Sequence, residues 1–162
     1  MSGTFVGELH RLIKVLLIDD SVALRSAWAK LIERTLDFKL VGSIGTESEI
    51  IATVRATHPD VVMLDLSVID EPSLDTVHTL TRETPNARIL VYSGRDPREV
   101  LPRICAAGVA GFIGKQEEPA RVIEAIRRVA QGKSVSPEGI VLAAPDIAIK
   151  PGYTPCAPSG SG

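Results

Sequence analysis

Asp19, Asp20, Asp65, Ser93 and Lys115 stand at, or just beyond, the ends of short apolar runs. Three carboxylates brought together repel one another, and their pKa values rise unless a cation intervenes. Oxygen-only donors with room for water suit Mg²⁺, which takes one or two carboxylates and a phosphoryl oxygen. A carboxylate is also a competent nucleophile toward a phosphoryl group, giving an aspartyl phosphate. Lys115 supplies a positive charge and Ser93 a hydroxyl, both suited to phosphoryl oxygens as charge is transferred. Each residue alone has a plainer role. Asp19 and Asp20 could cap a helix, Lys115 could be a solvated loop lysine, and Ser93 could form a turn ahead of Gly94. Only their coincidence at matched positions argues for a phosphorylatable, Mg²⁺-dependent aspartate.

That coincidence depends on the elements beneath. Val61-Val62-Met63-Leu64 is an apolar run preceded by Pro59-Asp60 and closed by Asp65, as in a strand buried on both faces. Lys14 to Ile18, Lys39 to Ser43, Ala87 to Tyr92 and Ala110 to Ile113 read as four further strands. Helical periodicity fills the intervals. The first helix is expected to bury Leu24, Ala27, Trp28, Leu31 and Ile32. A capping box, Thr46 to Glu49, opens the second, and Asp96-Pro97-Arg98-Glu99 starts the fourth. Gly108 and Gly132 are placed to end the last two helices. Strands alternating with helices predict an α/β fold, a five-stranded parallel sheet with helices on both faces. In such a sheet all strands end along one edge, and the five side chains converge there. Periodicity leaves strand order open.

Hydrophobic residues make up 44% of the chain, enough for a core, and the net charge of −2 gives no electrostatic case for nucleic acid. No apolar run approaches a membrane span, no signal peptide is legible, and a cytoplasmic location is expected. Cys105 and Cys156 make neither a disulfide framework nor a zinc site, and Cys105 reads as a small buried apolar residue. Residues 1–13 read as a leader and 14–132 as the folded domain. Residues 133–162, with five prolines and a Ser-Gly end, read as a linker or disordered tail.

From Lys14 to Gly132 the chain resembles the receiver domain of response regulators in two-component signalling. The Asp19-Asp20 pair, Asp65, Ser93 with Gly94, and Lys115 three residues after Phe112 carry the resemblance. The stretch from Gly108 to Lys115, and Val135-Ser136-Pro137-Glu138, are most similar to the LuxR-type subgroup. The resemblance implies a flavodoxin-like fold with strand order 2-1-3-4-5. It implies that Asp65 accepts phosphate from a sensor histidine kinase or phosphotransfer protein, in single turnovers rather than as an enzyme. Asp19, Asp20, Asp65 and the backbone carbonyl of Ser67 would bind Mg²⁺, and Ser93 and Phe112 would form a switch pair. Two positions depart from the family pattern: Ile69 and Ser73 stand where proline and glycine are usual.

Residues 95–133 hold eight Lys/Arg against five Asp/Glu, a net +3 in an acidic chain. This face, with Arg98, Arg103, Arg121, Arg127 and Arg128, is expected to meet a downstream protein partner or a second copy. No helix-turn-helix follows residue 138, so DNA binding by this chain is not expected. Alternatives are a receiver cut from a DNA-binding regulator and an Mg²⁺-dependent phosphohydrolase with an Asp nucleophile. A flavin protein is disfavoured, because Asp19-Asp20-Ser21-Val22 is acidic where a phosphate cradle would lie.

Overall fold

A computed structural model describes residues 11–69 and 74–137. Five strands, β1 (Ile13–Ile18), β2 (Phe38–Ile44), β3 (Val61–Leu64), β4 (Arg88–Ser93) and β5 (Gly111–Gly114), form one parallel sheet in the order β2-β1-β3-β4-β5. The helices are α1 (Val22–Arg34), α2 (Ile50–Thr57), α3 (Asp75–Glu83), α4 (Pro97–Ala106) and α5 (Pro119–Ala130). The chain runs outward from β1 to β2, then doubles back past β1 to β3. Because parallel crossovers are right-handed, this reversal puts the flanking helices on opposite faces. Val15, Leu17, Val61, Met63 and Leu90 pack with Trp28, Ile32, Val122 and Ile126 on the α1 and α5 face. Leu16, Ile18, Val62, Leu64 and Ile89 point the other way, against α2, α3 and α4. All four residues of β3 are buried, as an apolar central strand requires.

Local signals explain most element ends. Pro97 opens α4, where the Asp96 carboxylate accepts the Arg98 N–H at 2.9 Å. Gly108 has φ 94°, and the chain closes α4 with bonds from Gly108 N–H to Cys105 O and Val109 N–H to Ile104 O. The same pair of bonds recurs at Gly132, φ 84°, after α5.

Several expectations change. Leu24 and Ala27 are exposed and Leu31 only half-buried, so the inner stripe of α1 narrows to Trp28 and Ile32. Thr46 and Glu49 bond each other at 2.5 Å instead of capping backbone groups, and the first turn there is a 3₁₀ helix, Glu47–Glu49. Packed structure also runs past Gly132, where the composition suggested a linker: Val135 bridges to Gly111. Cys105 is buried, 7% exposed, on the α4 side of the core. Cys156, Ser73 and the tail from Glu138 lie outside the described residues. Among the described residues no helix is long and apolar enough to cross a membrane.

Candidate phosphoacceptor site

The reversal between β1 and β3 opens a crevice at their carboxyl ends, where such sheets hold ligands. Asp19 follows β1, Asp65 follows β3 and Ser93 ends β4; all three side chains are buried. Each Asp19 oxygen has a partner: Oδ1 accepts the Ser21 N–H at 2.7 Å and Oδ2 the Lys115 ammonium at 3.4 Å. Ser21, not either aspartate, caps α1, its hydroxyl accepting the Leu24 N–H. Asp65 Oδ1 accepts the Ser67 N–H at 3.2 Å. Its Oδ2 accepts the Ser67 hydroxyl at 2.5 Å and Lys115 Nζ at 2.8 Å. Asp20 is exposed, and its Oδ1 lies 3.0 Å from the Ser67 hydroxyl.

One oxygen from each of Asp19, Asp20 and Asp65 lies within 4.8 Å of the others. Three negative charges against the single ammonium of Lys115 leave a surplus suited to a divalent cation, and every donor is oxygen. The residues therefore fit Mg²⁺. Partial burial works against the charge of Lys115. The hydrogen bond and charge of Asp65, then those of Asp19, outweigh it and hold the ammonium above its ordinary range. A cleft of about 420 Å³ opens beside these groups, lined by Asp65, Ser67, Ile69, Ser93, Arg95 and Lys115. Ile69, where proline is usual, is 7% exposed and packs into the α2–α4 side of the core.

Ser93 Oγ accepts the Arg95 N–H at 3.1 Å, so its hydroxyl is turned into its own loop. Phe112 is 1% exposed, its ring seated in the core.

Sequence reading missed three contributors. The Ser67 hydroxyl bridges Asp20 and Asp65, whereas the family resemblance implicates only its carbonyl; nothing in spacing announces a side-chain bridge. Arg25 of α1 donates to the Asp19 carbonyl at 2.6 Å and pins the β1–α1 turn. Tyr92 lies under the ammonium of Lys115, 5.4 Å from nitrogen to ring centre. A correction falls on the proposed output face. Arg127 holds Asp37 through two bonds, of 2.7 and 3.0 Å, and lies over the Phe38 ring. It is a link inside the molecule rather than an outward charge.

A parallel sheet of this order, with an acid pair, a buried aspartate and a lysine at its carboxyl edge, defines a receiver. Residues 15–127 match the model of the response regulator receiver domain, and the chain belongs to that family. A nitrate/nitrite response regulator homolog of Haemophilus influenzae is 34% identical over 128 residues, covering 79% of this chain and 62% of that protein. The nitrate/nitrite response regulator NarL of Escherichia coli is 30% identical over 132 residues, covering 80% and 61%. The chain thus spans about three fifths of the length of these relatives. A LuxR-family two-component response regulator from Aurantimonas has the same fold, with TM-score 0.71, 24% identity and coverage of 76% and 89%. So does the isolated receiver of RcsB from Salmonella enterica, solved with a phosphomimetic, at TM-score 0.70, 20% identity and coverage of 79% and 95%.

Proposed function

We propose that Asp65 accepts a phosphoryl group from a histidine kinase or phosphotransfer protein, with Mg²⁺, and that the aspartyl phosphate alters protein–protein contacts. The carrying observation is the Lys115 ammonium on Asp65 Oδ2 at 2.8 Å, inside a group of three carboxylates. Asp19, Asp20, Asp65 and the Ser67 carbonyl would hold the cation. When bound, it would offset the carboxylate charge and that of the phosphoryl oxygens. An Asp65 oxygen attacks phosphorus as the P–N bond to the donor imidazole breaks, and the bonding pair stays with the imidazole nitrogen. Lys115, already paired with the attacking carboxylate, remains beside it to meet a phosphoryl oxygen. Ser93 must leave the Arg95 amide for its hydroxyl to reach the phosphoryl group, and that turn starts the switch shared with Phe112.

The functional unit is taken as β1 to α5 with the segment around Val135, acting in the cytoplasm. Its output would run through the 95–133 face to a protein partner or a second copy, without DNA binding by this chain.

The direct test is mass spectrometry after incubation with acetyl phosphate and Mg²⁺. One phosphoryl group on Asp65, lost in Asp65→Asn, is expected. Undiminished labelling of that variant, or sustained turnover of a phosphomonoester, would refute the reading.

A further inference from the structure

The outer edge of β5 carries a contact that phosphoryl transfer alone does not require. As the last strand of the sheet, β5 presents unpaired backbone groups on that side. The chain itself covers part of it. Val135 forms a parallel bridge with Gly111, and its carbonyl accepts the Phe112 N–H at 3.0 Å. We propose that this edge is a latch site for the segment 134–136, and that phosphorylation of Asp65 releases it; the release rests on the function proposed above.

Three observations carry the latch. A Cβ on Gly111 would stand 3.0 Å from both the Cβ and the carbonyl oxygen of Val135, and 3.2 Å from its nitrogen, so any larger residue here would press the segment outward by a few tenths of an ångström. The chain's exit from α5 is fixed as well. Lys133 N–H bonds Arg128 O, and Arg88 donates to the Ala130 carbonyl, aiming the following residues back along β5. Finally, the segment is not sealed into the core. Val135 is half-buried, and a groove of about 320 Å³ lies between the segment and α5, lined by Glu117, Arg121, Glu124 and Arg128.

The coupling follows from where the segment is attached. Ser93 is in register with Gly114, and the Lys115 N–H bonds the Ser93 carbonyl at 2.9 Å, so the ends of β4 and β5 move together. Turning Ser93 toward a phosphoryl group pulls on β5. The Phe112 ring is already inside, packed in the core. The displacement therefore falls on its backbone, whose N–H is held by Val135. A half-buried contact on the moving strand is the one that yields.

Hydrogen exchange followed residue by residue by NMR on the full chain tests this. With Mg²⁺ and beryllofluoride as phosphoryl mimic, exchange at Phe112 and across 133–137 should rise about tenfold, while β1 and β3 stay protected. In Gly111→Val, and in the milder Val135→Asp, exchange of the segment should already be raised without the mimic and should respond no further. Asp65 labelling by acetyl phosphate is measured on the same wild-type sample. Normal labelling with unchanged or slower exchange overturns the release. Absence of labelling overturns the phosphoacceptor reading and the release with it. Unaltered exchange in both variants overturns the latch.

Discussion

Ser67 puts a hydroxyl where the site would want only carboxylates and a cation. Its hydrogen bonds Asp65 Oδ2 at 2.5 Å and lies within reach of Asp20 at 3.0 Å, so it occupies lone pairs that a metal would take. Removing one such bond shifts an equilibrium by about 1 kcal/mol, or roughly fivefold. Ser67→Ala is therefore expected to bind Mg²⁺ about two- to fivefold more tightly by calorimetry; weaker binding would show that the hydroxyl helps the ion. Lys115→Ala should act in the opposite sense on chemistry. It strips the counter-charge from Asp65 and Asp19 and should slow labelling by acetyl phosphate by about a hundredfold, roughly 2.7 kcal/mol. The convergence of Asp19, Asp20, Asp65 and Lys115 was legible because each lies at or just past a strand end and parallel topology brings those ends together. The Ser67 bridge was not, since a side chain's direction within a short 3₁₀ turn follows from packing that no spacing rule encodes.

Among the elements, α5 is tied down more firmly than its charge pattern suggests. Arg127 reaches across to Asp37 in the α1–β2 turn, and this contact holds the Asp37 carboxyl below its usual value, chiefly through the hydrogen bond from Arg127. Both groups are more than a third exposed, so solvent screening keeps the pair to about 0.5–1 kcal/mol. Because the folded-state pKa is depressed, the stabilisation is present in full above the unfolded value of 3.8 and fades as pH falls through the folded value. Asp37→Asn should thus melt about 2–4 °C lower at pH 7, with the gap closing in acid. Arg127→Glu should melt lower still, whereas Arg98→Glu, on the exposed side of α4, should leave the melting temperature nearly unchanged. Equal losses in the two arginine variants would contradict this division. By pattern alone both residues have the same standing, because helical periodicity places Arg127 beside polar neighbours. It says nothing of an acid in a turn ninety residues away.

For the molecule as a whole, the boundary of the packed unit matters. Composition changes at Gly132, yet Val135 packs with the α1–α5 side of the core and bonds the β5 edge. A hydrogen bond and a half-buried valine together contribute about 2 kcal/mol. A chain cut after Gly132 should melt several degrees below one cut after Pro137; equal melting temperatures would mean that the segment adds nothing to stability. The α/β architecture, the strand set and the start of α4 lay within reach of periodicity and turn chemistry. The narrow inner stripe of α1 did not: Leu24 and Ala27 fall on the apolar face by period, yet both are exposed. A 3.6-residue period reports which face is apolar, not how far the neighbouring layer extends.

Trp28 is the chain's single tryptophan, and it lies edge-on to Tyr92 with ring centres 5.5 Å apart. Tyr92 in turn faces the Lys115 ammonium. Indole emission responds to nearby charge, and this indole is 7% exposed, so bulk water contributes little to its surroundings. The protein consequently carries its own optical probe, set one ring away from the Lys115 ammonium. Excited selectively, it should report the arrival of Mg²⁺ and of the phosphoryl mimic as two separable changes in intensity. Tyr92→Leu should mute both while leaving the labelling of Asp65 in place.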